Sequence, residues 1–363
     1  MDTINQTPFM VMSFPAQKPN GEEFLTTIVK GTFKFSADGG IELSEDQEDV
    51  RMADEYFTEP NVSSLRQASD LLPFKPTTDI HIIGAAYSKG EVPVESWDAS
   101  VSVDGDVLTE LTFTGKREWR SFSDRQWVLS DISKTNIVAL KYEHSSGGQW
   151  QRHDEEGGLI DSDVSHFNPL GTGLVDIKEL DPSLPIAAPQ ILKKGESIPE
   201  LGQYIEPAGL SPIPGSWKQR LQYAGTYDEE WESNKWPLSP DDFDWHFYQS
   251  AHPDLICEEY LQGGETITLK GLTAAGELSL KVPDYLIAAK FFNDQGHRFG
   301  AVANLDTVEI ELNKNIITLV WRMTLERETR DLVRAEVLSI EDQVAYLQQV
   351  QRHYEKGGEG GEC

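Results

Sequence analysis

The sequence is poor in cysteine, in positive charge and in long apolar runs. Two cysteines occur in 363 residues, Cys257 and Cys363, so a disulfide framework is excluded. The 31 basic residues face 61 acidic ones, and the net charge of −30 repels nucleic acids and anionic membrane surfaces alike. No apolar stretch approaches the roughly 18 residues of a membrane span. We therefore expect a cytoplasmic protein that neither binds nucleic acid nor inserts into a membrane.

The common catalytic and nucleotide-binding motifs are also absent from the sequence. It has no Gly-x-x-x-x-Gly-Lys-Ser/Thr loop, no Gly-x-Ser-x-Gly elbow and no His-Glu-x-x-His zinc helix. The densest acidic group lies between Asp241 and Asp254, where Asp242, Asp244 and His246 could serve a metal-dependent or acid–base hydrolase. The spacing is not that of a calcium loop, and the same carboxylates could cap turns instead. We expect no enzyme activity, catalytic residue, metal or other cofactor, and keep hydrolysis as the alternative.

Short runs of β-branched and aromatic residues, separated by Gly, Asp, Asn or Pro, dominate both ends of the chain. They lie at 26–35, 41–43, 78–86, 97–103, 107–114, 127–130 and 137–143, and again at 266–270, 277–281, 286–292, 298–304, 307–312 and 316–325. Asp104-Gly105 between two of these runs is a hairpin signal. The pattern predicts a mainly β protein with antiparallel sandwich or barrel-like sheets in two β-rich halves.

Composition divides the chain into segments at 1–144, 145–214, 215–338, 339–356 and 357–363. The first and third are the β-rich halves, and the second is a connection rich in Pro and Gly. Because proline fixes φ and removes a backbone donor, we expect this connection to run as an irregular chain over other elements. Ser339 forms a near capping box with Asp342 and precedes apolar residues at helical spacing. The fourth segment is therefore predicted to be an amphipathic helix, followed by a flexible Gly/Glu tail.

The most aromatic part of the chain lies between residues 217 and 260, where ten aromatic side chains occur. Pro237 and Pro240 prevent a long helix, so an irregular aromatic loop is predicted. Such rings are either ordinary core or part of a protein-binding surface, since Trp and Tyr are enriched at interface hot spots. Our candidates for protein binding are Trp217, Trp236, Phe243, Trp245 and Phe247.

Several motifs follow one another in the order found in a known bacterial family. They are Thr78-Asp79-Ile80, Gly115-Lys116-Arg117-Glu118-Trp119, Asn168-Pro169-Leu170-Gly171-Thr172-Gly173 and Trp236-Pro237-Leu238-Ser239-Pro240-Asp241-Asp242-Phe243-Asp244. Through these motifs the sequence resembles the family catalogued as domain of unknown function 2169, over about residues 5–325. It departs from the family at Ala251-His252-Pro253-Asp254-Leu255, where the family pattern reads Ala-Pro-x-Asp-Gln.

The resemblance implies an accessory protein of the type VI secretion system. Members of this family behave as cytoplasmic adaptors or chaperones that load a toxic effector onto a PAAR-like spike tip, and no catalytic residues are carried over from them. The expected partners are therefore an effector and/or a PAAR-like protein. A structural component of the secreted particle is a further alternative. If the partner is basic, the net charge of −30 would accelerate the encounter.

Overall fold

The computed structural model describes residues 1–123, 126–178, 180–326 and 331–341. The strands of the first half are β1 (Asp2–Gln6), β2 (Met10–Gln17), β3 (Glu23–Phe35), β4 (Ile41–Leu43), β5 (Glu55–Tyr56), β6 (Leu65–Gln67), β7 (Asp79–Ile83), β8 (Ala85–Tyr87), β9 (Ser96–Val103), β10 (Asp106–Thr114), β11 (Glu118–Ser123), β12 (Gln126–Leu129) and β13 (Ile137–Ala139). Those of the connection are β14 (Ser146–Gly147), β15 (Gln149–His153), β16 (Leu159–Val164), β17 (Thr172–Gly173), β18 (Ile186–Ala187) and β19 (Ile191–Lys193).

The remaining strands are β20 (Thr266–Lys270), β21 (Glu277–Lys281), β22 (Tyr285–Asn293), β23 (Arg298–Val302), β24 (Asn304–Glu311), β25 (Ile316–Leu325) and β26 (Leu332–Glu341). The α-helices in the described ranges are α1 (Lys218–Leu221) and α2 (Glu229–Asn234). Short 3-10 turns occur at Lys89–Glu91, Tyr142–His144, Trp245–Tyr248 and Pro253–Leu255. The prediction of a mainly β chain is confirmed.

Three larger sheets organise the chain, and their strand orders have two free ends, so these sheets are open. The largest runs β2-β3-β25-β24-β7, with β4 added on β3. A second sheet runs β19-β10-β9-β20-β21, and a third β1-β26-β22-β23. Most pairs are antiparallel; β7 with β24 and β1 with β26 are parallel. A smaller sheet, β12-β11-β18, and several two-stranded pairs complete the described strands.

The two β-rich halves share their sheets. β3 pairs with β25 over ten residues, from Leu25 opposite Leu325 to Lys34 opposite Ile316. β9 likewise pairs with β20 from the other half. The boundaries at 144 and 214 therefore mark changes of composition, and the halves complete one another's sheets.

The largest sheet has one apolar and one polar face, and both are buried. Val29, Ile80 and Ile310 point to one side, where they join a core cluster that also contains Leu111 and Phe291 of the other two large sheets. The opposite face carries buried polar side chains, Lys30, Asp79, His81, Thr307, Glu309 and Arg322. Alternation of apolar and polar residues is usually typical of a sheet with one face in water. Here both faces are buried, one in an apolar interior and the other in a polar one.

Residues 44–75 cover the polar face and neutralise its charges. Asp70 lies 2.9 Å from the ammonium of Lys30. Arg51 lies 3.2 Å from the carboxylate of Glu309. Because an unpaired buried charge is costly, these ion pairs are what permits the covering segment to exclude water.

Two expectations need correction. Ser339 does not begin a helix, because Ser339 to Glu341 are the last residues of β26, where Ser339 lies opposite Ile287 and Glu341 opposite Tyr285. Pairing with a distant strand outweighs the local capping signal. The remainder of the predicted helix and the tail, 342–363, lie outside the described residues. The connection is also more ordered than expected, since β15 and β16 form a hairpin.

Gly31 is the position in β3 where an added methyl group would disturb the core. A Cβ there would lie 2.8 Å from the Phe9 ring, which is stacked on Trp321 at 5.4 Å. We expect Gly31→Ala to lower the free energy of unfolding by about 1–3 kcal/mol, because a buried ring must move. Urea unfolding followed by tryptophan fluorescence measures the change.

Gly300→Ala is the matched control, since Gly300 lies in the exposed strand β23, where a Cβ would meet only the Ala289 carbonyl at 4.0 Å. This variant should be neutral or slightly more stable. Equal destabilisation by the two substitutions would contradict the assigned packing.

Candidate protein-binding surface

Two exposed aromatic rings flank a short helix, Tyr227 just before it and Trp236 just after it. α2 begins after Asp228, whose carboxylate accepts the backbone N–H of Trp231 at 2.9 Å. The Trp231 indole N–H donates to the carbonyl of Leu238 at 2.9 Å, which fixes the loop against the helix. Tyr227 packs edge-on against Trp231 with 4.6 Å between ring centroids. Tyr227 is nevertheless 56% exposed, and Trp236 is 70% exposed.

The same helix is strongly acidic. Glu229, Glu230 and Glu232 lie in its first turn, where carboxylates interact favourably with the helix dipole. None of these three forms an ion pair with a cation of the described residues. The nearby ammonium of Lys235 already contacts the carboxylate of Asp241. We call Tyr227, Trp231, Trp236, Asp228, Glu229, Glu230 and Glu232 the aromatic–acidic surface.

Three of the predicted binding residues follow this surface in the chain and fasten their own segment to the sheet. Phe243, Trp245 and Phe247 are half-buried, and Phe243 contacts both of the others edge-on, at 5.4 and 6.0 Å between centroids. Trp245 in turn packs edge-on against Phe24 of β3 at 6.1 Å and against Phe74 at 5.7 Å. The rings therefore fasten the segment to the largest sheet and its cover while keeping part of their own surface open.

Trp217 lies in a different environment from the other candidates. It is 3% exposed and packs edge-on against Tyr142 at 5.0 Å, in a cluster with Ile213. This side chain has almost no surface for a partner. Tyr227, by contrast, is exposed but was not among the five predicted candidates. The carboxylates that follow it in the sequence distinguish it from the buried rings.

The carboxylates considered for hydrolysis hold the loop together. Asp242 accepts the backbone N–H of Thr226 at 2.9 Å and its hydroxyl at 2.7 Å, and these bonds lower the pKa of Asp242. Burial alone would raise the pKa of Asp244, but the backbone N–H of His246, which donates to it at 2.9 Å, and the His246 side chain together lower it. A general acid needs a raised pKa, and neither carboxyl has one.

His252 and Asp254, in the motif that departs from the family pattern, are also engaged. His252 is 4% exposed; its Nε2 donates to the carbonyl of Pro207 at 3.1 Å while Nδ1 accepts the backbone N–H of Asp254 at 3.2 Å. Burial lowers the pKa of His252, so the imidazole is neutral at pH 7. Asp254 pairs with Lys193 at 3.0 Å. These contacts tie the motif to the second sheet.

Ser250 anchors the aromatic segment in the polar face of the largest sheet. Its backbone N–H donates to Oδ2 of Asp79 at 2.7 Å, and Oγ lies 3.1 Å from Nε2 of His81. Lys75 neutralises Asp79 at 2.8 Å. Ser250, Asp79 and His81 are at most 1% exposed. The sequence of β7 contains a signal for this anchor, because two polar residues alternate there with isoleucines.

The fold and this surface define a mainly β protein with a rigidly supported, acidic patch of aromatic rings. The chain belongs to the family described as an uncharacterized protein conserved in bacteria (DUF2169), whose model matches residues 20–322. No curated protein and no solved structure matches the chain. In the described ranges, no group of three or more His, Cys, Asp or Glu is placed to hold a metal ion. Nor does any helix there combine the length and apolar character needed to cross a membrane.

Asp79 is the residue on which the anchor depends. Asp79→Asn leaves the ammonium of Lys75, which is 3% exposed, without its neutralising charge. We expect the free energy of unfolding to fall by about 3–5 kcal/mol, as for other broken buried pairs. Glu277→Gln is the matched control, because its pair with Lys270 is 3.8 Å long and 59% exposed on both sides; it should cost less than about 1 kcal/mol. Equal losses would contradict the anchoring role.

The same buried carboxylates predict how stability depends on pH. Burial alone would raise the pKa of Asp79, but Lys75 and His81 hold it below its ordinary value. Arg51 likewise holds the pKa of Glu309 low against burial. Both groups bind protons more weakly in the folded chain, so their stabilisation is complete above about pH 4 and is lost as the pH falls further.

Urea unfolding at a series of pH values tests this dependence. The free energy of unfolding of the wild-type protein should decline steeply below about pH 4. The decline should be shallower in Asp79→Asn, which has lost one of the titrating carboxyls. Parallel pH profiles for the two proteins would show that Asp79 does not contribute in this way.

Proposed function

We propose that this protein is a non-enzymatic adaptor or chaperone of a bacterial type VI secretion system. In this role it binds a secreted effector, a PAAR-like spike tip or both in the cytoplasm, and helps load them for secretion. The family resemblance of the sequence suggests the secretion system. The exposure of Tyr227 and Trp236 within an acidic surface is the observation that carries the binding role.

Two exposed aromatic rings on one short segment offer apolar contact area to a partner. Trp and Tyr contribute much contact area with few rotatable bonds, and they dominate the binding energy of many interfaces. Trp236 and Tyr227 keep more than half of their surface in water although the chain has a large core. A partner that covers both rings would recover this burial.

The charge around the rings indicates what kind of partner fits. Glu229, Glu230 and Glu232 stand beside the rings without a cation from the described part of the chain. Lysine and arginine side chains can pair with such carboxylates and also stack on aromatic faces. A basic segment of the effector or spike tip is therefore the favoured contact.

A rigid support makes the surface suitable for binding. Phe243, Trp245 and Ser250 hold the segment to the largest sheet through ring contacts and buried hydrogen bonds. Binding to a preformed surface avoids the cost of ordering a loop. Adaptor function thus needs no conformational change in this part of the chain.

The test is affinity capture of the tagged full-length protein from its native bacterium, with mass spectrometry of the captured proteins. We expect an effector or a PAAR-like spike-tip protein to be recovered with the wild type, and recovery to fall at least tenfold with Trp236→Ala. Phe122→Ala is the control, because Phe122 is 81% exposed but lies on β11, outside the aromatic–acidic surface. Absence of secretion proteins from the wild-type sample would overturn the proposal.

The acidity of the surface adds a kinetic expectation for the partner identified in this way. Its association rate should fall steeply between low and physiological salt, because screening weakens long-range attraction to a chain of charge −30. Stopped-flow or surface plasmon resonance measurements give the rate directly. A rate independent of salt would remove electrostatic steering from the account, while leaving contact through the rings intact.

A further inference from the structure

A cavity of about 600 Å³ lies beside the motif Gly115–Trp119, away from the aromatic segment. Lys116, Arg117, Glu118 and Arg120 contribute to its wall from and just before β11, and Asp131 and Glu143 lie across from them in the lining. No residue of the aromatic–acidic surface lines it. Its volume lies within the range of pockets that hold small molecules.

Two adjacent cations in this cavity have N–H donors without an acceptor among the described residues. Arg117 uses its Nε to donate to the carbonyl of Ser130 at 2.7 Å, and neither η nitrogen has an acceptor among the described residues. The Lys116 ammonium has no ion pair or hydrogen bond with any described group. A fixed guanidinium with both η nitrogens free presents the fork that binds a carboxylate or phosphate through two parallel bonds.

The carboxylates of the lining do not neutralise these cations. Glu118 is engaged by Arg120, whose Nε donates to it at 2.9 Å. Glu143 accepts the backbone N–H of Ser64 at 3.0 Å and also its hydroxyl. Asp131 is the remaining acid. The lining carries three cations and three carboxylates, so its formal charges balance, but Lys116 and Arg117 form no ion pair with any described carboxylate.

His144 reports on the electrostatics inside the cavity. Burial lowers its pKa, and although Glu143 acts in the opposite direction, the cations Lys141 and Lys116 lower it further. The imidazole is thus neutral at pH 7 and remains available as a hydrogen-bonding group. Charges of both signs therefore act on His144, which can donate a hydrogen bond to a bound anion without adding charge to the lining.

The backbone that carries the two cations is held from both sides. The carbonyl of Arg117 accepts the N–H of Ala188 at 2.9 Å, and that of Lys116 accepts the N–H and hydroxyl of Ser133 at 3.1 and 2.9 Å. Gly115 is packed so closely that a Cβ would lie 1.6 Å from the Ser133 carbonyl oxygen. Only glycine fits there, and the backbone that carries the two cations is fixed before any ligand binds.

We propose that this cavity is a binding site for an oxyanion, a phosphate or carboxylate group carried by a small molecule. Arg117 binds the group through its two η nitrogens, and Lys116 supplies the second positive charge. The proposal is independent of the adaptor role, because the site shares no residue with the aromatic–acidic surface.

Isothermal titration calorimetry on the full-length protein, at low ionic strength and pH 7, tests the proposal with inorganic phosphate and with citrate as probes. At least one of the two should bind with saturation at one site. Arg117→Lys keeps the charge but loses the fork, so we expect the affinity to fall about tenfold. Lys116→Gln removes one charge at an exposed position and should reduce the affinity about threefold.

Lys134→Gln is the matched control, since Lys134 is an exposed lysine of the neighbouring loop that does not line the cavity. The affinity of this variant for either probe should equal that of the wild type. Selective binding of phosphate identifies a phosphate-bearing ligand, and selective binding of citrate a carboxylate-bearing one. Absence of saturable binding by either probe, or equal loss in Lys134→Gln and Lys116→Gln, would overturn the proposal. Lys116→Gln keeps the test valid even if Arg117→Lys fails to fold.

Discussion

Charge pairing on the polar face of the largest sheet is the constraint on which the rest of the structure depends. Lys30, Arg51 and Lys75 are buried there, and each has a carboxylate within 3.2 Å. A buried charge without its partner costs several kcal/mol, so the sheet and the segment 44–75 can only fold against each other in one register. Hydrophobic burial stabilises packing on the apolar face, whereas the ion pairs of the polar face determine which segment packs on it.

The position of the aromatic segment depends on this charge pairing. Ser250 and Lys75 both donate to Oδ2 of Asp79, and Trp245 packs on Phe24 and Phe74 beside the same face. The carboxylates between residues 241 and 254 cap backbone groups and so shape the loop. An irregular segment is thereby fixed in place, as the proposed binding surface requires.

Local patterns in the sequence were sufficient for much of the fold. The alternation in β3, β20 and β25 and the turn at Asp104-Gly105 predicted these strands and hairpins, because short-range chemistry determines them. Ser339 shows where this reasoning fails, since it pairs with Ile287, 52 positions away, and no local signal reports that pairing. The candidate site was only partly predictable. Trp217 and Trp236 have similar neighbours in sequence, and tertiary packing alone makes one buried and the other exposed.

The pairing of β3 with β25 also governs how the chain is made. Strand β3 leaves the ribosome long before its partner, and at about 5–20 residues per second the wait is roughly 15–60 s. During this time a long strand with one apolar side has an unpaired edge, the situation in which nascent chains associate with one another. The surplus of acidic residues along the polypeptide makes such copies repel each other. The net charge that we propose attracts a partner to the finished protein therefore also opposes association of the chain during its synthesis.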